Sequence, residues 1–192
     1  MTSHRFDPAK LGKLNDVARL DDLVPDLMWE AFGTPDARVV VEPGAGTGMF
    51  AREFATRMLP GGTLYAADIS SDMIMWMTEH LDTGDATEIV TLEADAAALP
   101  LEDSSADLLY TVNLHHELDD IDATLAEAFR VLAPGGRIAI VDWKKEPTPK
   151  GPPMEIRVGA EEIAAQLVSA GFEHPVVHPV LRYHSVVTAT RP

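Results

Sequence analysis

An α/β fold on a mainly parallel sheet is predicted by three features of this 192-residue sequence. Short β-branched runs alternate with longer helical periods, each early run leads into a recognisable helix start, and Pro-Gly-Gly marks two of the returns to strand. The first strand candidate is Arg38–Glu42, after which Gly48 opens a helix over Met49–Met58 that Pro60-Gly61-Gly62 ends. Thr63–Asp68 is the second strand, and Ser70 is placed to cap the helix Ser71–Leu81 with its hydroxyl. Ile89–Glu93 and Asp107–Val112 are the third and fourth strands. Asp120 or Asp122 suits the cap of a helix running to Val131, and Pro134-Gly135-Gly136 turns that helix into the fifth strand, Arg137–Trp143. The segment Lys144–Pro153, KKEPTPKGPP, reads as a proline-stiffened loop. Glu161–Ala170 has helical spacing and closes at Gly171, and the strands Val176–Pro179 and Tyr183–Thr190 follow. Only Val180–Arg182 separates those two, too short a link for a crossover, so they must be antiparallel. The length suits one domain over 1–192: a helical cover at 1–33, a core at 38–143, and a loop, helix and hairpin at 144–192.

Composition narrows the function. Lys and Arg number 15 against 31 Asp and Glu, a net charge of −16, and between Arg57 and Arg130 there are 16 acids and no Lys or Arg. Such a surface repels phosphate backbones and anionic lipid, so neither nucleic acid nor a membrane surface is an expected partner. Without cysteine, thiolate metal sites, disulfides and cysteine nucleophiles are excluded together. No apolar run approaches the roughly 18 residues of a membrane span, and the N-terminus lacks an apolar signal core; the chain reads as soluble and cytoplasmic.

The chemistry is expected at the first strand-to-helix turn, VVVEPGAGTGMF. Gly44, Gly46 and Gly48 allow a ligand to approach the backbone, and the helix that follows turns unpaired N–H groups toward an anion or a polar cofactor. A dinucleotide fingerprint would place its third glycine at position 49, which is Met49, so the spacing weakens a nicotinamide reading. Glu42, Asp68 and Asp95 end three successive strands; Asp68 is placed to accept from ribose hydroxyls and Asp95 from an exocyclic amine.

These segments resemble the class I S-adenosylmethionine-dependent methyltransferases, in particular the small ones related to the ubiquinone/menaquinone C-methyltransferases. VVVEPGAGTG is similar to the first motif, LYAADIS to the second, EADAAALPLEDSSADLLY to the third and its continuation, and VLAPGGRIAIVDW to the strand after it. The opening RFDPAKLGKLNDVARL is similar to the N-terminal cover of these relatives. The resemblance implies a Rossmann-like sheet in the order 3-2-1-4-5-7-6 with the last strand antiparallel, and S-adenosylmethionine as cofactor. It also implies roles. Glu42, where the family often has Asp, would answer the methionine amino group, and the glycines would pass the cofactor. Asp68 would hold the ribose, Ile69 and Met73 would pack on adenine, and Asp95 with the Ala96 N–H would read it. Asn113, at the end of the fourth strand, belongs to the same expected cofactor set.

His115 and His116 follow the fourth strand, where the family places its substrate, and either imidazole is a candidate general base. Adjacent side chains point apart, so one at most is expected to face the acceptor, and His116 is slightly favoured. An alternative uses Asn113 and Asp142 with a histidine as an oxygen-rich metal site; the working expectation is no metal. His174, His178 and His184 read as surface or core-edge residues of the terminal hairpin. The run Met73–Met77 has apolar residues on more than one side of its helix, which leaves room for a partner surface such as a homodimer contact. The substrate mouth is expected among Phe6–Leu14, His115, His116, Trp143 and Lys144–Pro153, with too little inserted chain for a large acceptor. Methyl transfer to a small molecule is thus the leading function. Its competitors are a non-catalytic binder of the same cofactor acting through a partner, and an NAD-dependent oxidoreductase.

Overall fold

The structure, a computed structural model, describes residues 11–81 and 87–192. Three short helices come first: α1 (Leu11–Leu14), α2 (Arg19–Asp22) and α3 (Pro25–Phe32). There follow β1 (Val39–Pro43), α4 (Met49–Ala55), β2 (Gly62–Asp68), α5 (Ser71–His80), β3 (Thr87–Glu93) and β4 (Ala106–Val112). After a single 3₁₀ turn at His115–Glu117 come α6 (Ile121–Val131), β5 (Leu132–Trp143), α7 (Ala160–Ser169), β6 (Glu173–His178) and β7 (His184–Thr190). The strands form one sheet in the order β3-β2-β1-β4-β5-β7-β6. β7 runs antiparallel to both neighbours and the other pairs are parallel, the topology expected from the resemblance and from the short terminal link.

Side chains alternate across this sheet with period two, so each central strand feeds two cores. Val40, Leu108, Tyr110, Ala139 and Val141 join the cluster that includes Met28 and Phe32 of α3 and Phe50 and Phe54 of α4. Val41, Leu109, Ile138 and Ile140 join the other, with Leu125 and Val131 of α6 and Ile163 and Leu167 of α7. An aromatic group anchors the first core: the Phe54 and Tyr110 rings meet edge to face at 4.9 Å, and Phe32 lies 5.3 Å from Phe54 and 5.5 Å from Tyr110.

Element ends differ from expectation where tertiary partners intervene. Helix α4 stops at Ala55, three residues early, and the chain turns with the Arg57 and Met58 N–H groups both donating to the Phe54 carbonyl. Ser70 does not cap α5 through its hydroxyl; its own N–H donates to Asp68 Oδ1 at 2.9 Å. Asp120 does cap α6, accepting from the Ala123 N–H. Pro134-Gly135-Gly136 falls inside the span of β5 and not before it. Leu132 pairs with Ala106 and Arg137 with Leu108, so the tripeptide bulges out of the ladder and is tied to Arg191 by two backbone hydrogen bonds. Along α5, Met73 and Met77 are buried while Met75 is 59% exposed.

Replacing Phe54, fully buried at the centre of the aromatic group, should be felt throughout the first core. Phe54→Ala is expected to destabilise the fold by about 3–5 kcal/mol, read as a lowered midpoint in urea unfolding followed by far-UV circular dichroism.

Candidate active site

The carboxyl ends of β1, β2, β4 and β5 open onto a cavity of about 870 Å³. Glu42 is the penultimate residue of β1, its side chain turned inward and 2% exposed, and Tyr110 of β4 donates its hydroxyl to Glu42 Oε2 at 2.8 Å. Burial pushes the Glu42 carboxyl up to about 8 even though the Tyr110 hydrogen bond and the charge of Arg19 work the other way. Gly46 sits on the turn at φ +58° and gives its N–H to Asp68 Oδ2 at 2.8 Å, while Oδ1 takes the Ser70 N–H. Asp68 therefore clamps the glycine turn to the end of β2, and burial raises its carboxyl above the ordinary range against these backbone hydrogen bonds.

Most of the residues expected at a cofactor site line this one cavity: Glu42, Gly44, Gly46, Asp68, Ile69, Met73, Asp95, Ala96 and Asn113. Gly48 does not. It opens α4 at φ +73°, and a Cβ there would meet the Leu81 side chain at 2.6 Å, so its glycine serves packing behind the turn. Asp95 accepts the Ala97 N–H at 2.9 Å, which shapes the bend after β3 beside Ala96.

The two adjacent histidines part company. His116 lines the cavity; its Nδ1 lies 2.7 Å from Asp142 Oδ1 and its backbone N–H donates to Oδ2 at 3.0 Å. A carboxylate only accepts, so Nδ1 carries the proton and Nε2 is left as the acceptor, 3.6 Å from Glu117 Oε1. Burial acts to lower the His116 pKa, but the hydrogen bond and charge of Asp142, with Glu117, outweigh it and hold the value above ordinary. His115 is turned away from the cavity, with Nε2 2.8 Å from Gln166 Oε1 of α7, and burial lowers its pKa. Asp142 is committed to His116 and to the Trp143 N–H at 2.6 Å, and no group of three or more acids and histidines among the described residues is arranged to hold a metal ion.

Of the segments expected at the mouth, Lys13 and Leu14 and, in the loop after β5, Lys150, Gly151 and Pro152 line the cavity, with Arg19 and Asp22 of α2; Lys150 is ion-paired with Asp22. Phe6–Lys10 of the expected mouth lie outside the described residues. Among the cavity residues given no role from sequence are Arg19 and Thr47, and His184, expected at the surface or core edge, lines the cavity too. Thr47 stands between two of the expected glycines and Arg19 lies in the segment read as the N-terminal cover, signals that were available; His184 reaches the cavity from a remote strand and left none.

A family model described as "Methyltransferase domain" matches residues 41–140, from inside β1 to inside β5. A crystal structure of a SAM-dependent methyltransferase from Aquifex aeolicus superposes at a TM-score of 0.91 with 30% identity, covering 98% of this chain and 100% of that one. The chain belongs to the class I S-adenosylmethionine-dependent methyltransferases. It is similar, at 31% identity over 148 residues, to the ubiquinone/menaquinone biosynthesis C-methyltransferase UbiE of Hahella chejuensis. It is also 36% identical over 107 residues to the malonyl-[acyl-carrier protein] O-methyltransferase of Methylococcus capsulatus. These matches cover 70% and 56% of this chain but only 59% and 38% of those two proteins.

The polar groups present suit the family's cofactor. Thr47 Oγ1 and Asn113 Oδ1 are buried with no hydrogen-bond partner among the described residues, and both residues line the cavity beside Glu42 and Asp68.

A buried acid with its pKa near 8 ties stability to pH. Glu42 stays protonated in the folded chain up to about 8 but ionises near 4.5 when unfolded. The stability it contributes is thus complete below about pH 4.5 and is lost as pH rises through about 8. Glu42→Gln, which cannot ionise, should melt about 5 °C or more above the parent at pH 9, with a smaller gap at pH 5, in paired thermal scans.

Proposed function

We propose that this methyltransferase moves the methyl group of S-adenosylmethionine to a small-molecule acceptor, with His116 as the base that takes the acceptor's proton. The observation that carries this reading is the His116–Asp142 pair on the wall of the cavity that the glycine turn and Asp68 also line. When bound, the cofactor supplies an electrophilic methyl on a sulfonium, so the chain needs chiefly to align a nucleophile and remove its proton. Asp142 fixes the His116 tautomer with Nε2 as acceptor, and its charge keeps the imidazole basic near neutral pH. Glu42 and Arg19 are offered to the amino and carboxylate ends of the cofactor, Asp68 to its ribose, and Asp95, Ala96, Ile69 and Met73 to its base.

Small acceptors are favoured by space and by charge. A cavity of about 870 Å³ that must also take the cofactor leaves room for little more than a small molecule. A net charge of −16 disfavours a polyanionic acceptor, and no helix among the described residues is long and apolar enough to cross a membrane.

Two measurements test the assignment. Asp68→Ala should weaken S-adenosylhomocysteine binding by well over tenfold in calorimetry, since hydrogen bonds to a charged acceptor contribute roughly 1.5–3 kcal/mol each and the clamp on Gly46 is lost with them. Unchanged affinity would refute the ribose role. His116→Ala should lower turnover roughly 10²–10⁴-fold and abolish the acid limb of the rate profile, with S-adenosylhomocysteine affinity nearly intact. His115→Ala should cost less than about tenfold in turnover, because that ring faces α7; a larger loss there than at His116 would reverse the assignment.

A further inference from the structure

β5 ends at Trp143 and β7 begins at His184, and their antiparallel register sets these two residues opposite each other. Their rings lie 4.1 Å apart at a tilt of 43°. His184 lines the cavity and is only 1% exposed, yet neither of its ring nitrogens has a hydrogen-bond partner among the described residues. An unmet buried donor or acceptor costs about 1–3 kcal/mol, so an imidazole with both nitrogens unmet is a heavy burden unless a ligand answers it. The contact with Trp143 explains how the ring is held and not why it is polar.

The surroundings define what would answer it. Four charged groups act on His184, and each is already engaged: Asp22 with Lys150, Asp142 with His116, and Arg19 with the Leu14 carbonyl and the face of Phe50. Burial outweighs the pull of Asp142 and Asp22 and takes the imidazole down to about 4, so it is uncharged at neutral pH. A neutral imidazole offers a donor at one nitrogen and an acceptor at the other, pointing apart; a carboxylate can meet only the donor, whereas a hydroxyl can meet either one. Trp143 and Pro152 supply apolar wall around it.

We propose that His184 is an acceptor-binding residue, hydrogen-bonded to a hydroxyl group of an uncharged organic methyl acceptor. The inference rests on the methyltransferase reading above and names the chemistry at another part of the wall of the same cavity. It also makes His184 and His116 a division of labour: one uncharged ring that holds the acceptor, and one carboxylate-backed ring that takes its proton.

The full chain saturated with S-adenosylhomocysteine is titrated with phenol, toluene and benzoate, which share a ring and differ in the group that would meet His184. Binding is followed through the side-chain ¹⁵N resonances of the histidines. Phenol is expected to bind roughly tenfold or more tighter than toluene or benzoate and to move the His184 nitrogens. His184→Leu should bring phenol down to the level of toluene while leaving S-adenosylhomocysteine affinity unchanged, and His184→Gln, which keeps a donor and an acceptor, should recover most of the preference. Equal affinity for phenol and toluene, tighter binding of benzoate, or a phenol response in the parent chain that bypasses His184 would overturn the assignment while leaving the cofactor site standing. A parent chain that fails to bind S-adenosylhomocysteine would overturn both.

Discussion

The separation of β1 from β4 is the constraint on which the site depends. These strands pair only through Val40–Leu108 and Val41–Leu109, and beyond that point each continues without the other. The sheet order reverses direction there, with β2 and β3 on one side and β5 and β7 on the other, so the connections leave in opposite senses and a crevice opens between them. Tyr110 reaches across the split to Glu42 and is the stitch that keeps its two lips in register. The aromatic group of Phe32, Phe54 and Tyr110 below it is therefore part of the site's geometry as well as of the core.

Around that crevice the fold buries polar groups at a cost to its own stability. Glu42 is held protonated by burial, and Thr47, Asn113 and His184 carry buried polar atoms that no described residue meets. Each opposes folding by about 1–3 kcal/mol and would be repaid by a bound ligand. The opposite case is Asp142, also buried, whose oxygens accept the His116 ring, the His116 backbone and the Trp143 backbone. A satisfied carboxylate holds the His116 ring in place; unsatisfied groups mark where ligand atoms belong.

The cavity wall after β5 is built rather than left to a free loop. Arg157 is buried behind the segment after β5 and donates to the carbonyls of Lys144, Glu146 and Pro152, binding both ends of that loop together, with its guanidinium over the Trp143 ring. Lys150 on the same loop pairs with Asp22 of the N-terminal cover. Loop and cover thus meet at one wall of the cavity.

Much of this was legible in the sequence because its signals are local. The glycine turn, the acids at strand ends and the short link before β7 each depend on a few neighbouring residues; the link made the last pair antiparallel, the family resemblance carried by the motifs implied the strand order, and the turn and acids named most of the residues that line this part of the cavity. What only the tertiary structure decided were matters of direction and partner. Sequence cannot say which of His115 and His116 faces the cavity, because Asp142 from β5 draws one ring in and Gln166 from α7 draws the other out. Gly48 has the composition of a cofactor glycine and is required by Leu81. Ser70 has the composition of a cap, but Asp68 takes its N–H. His184 looked like a hairpin residue and stands buried in the cavity, because β7 pairs antiparallel with β5 and brings its first residue to the same end as the last residue of β5. Side-chain direction and burial are set by strands and helices distant in the chain, and for that reason no local pattern could record them.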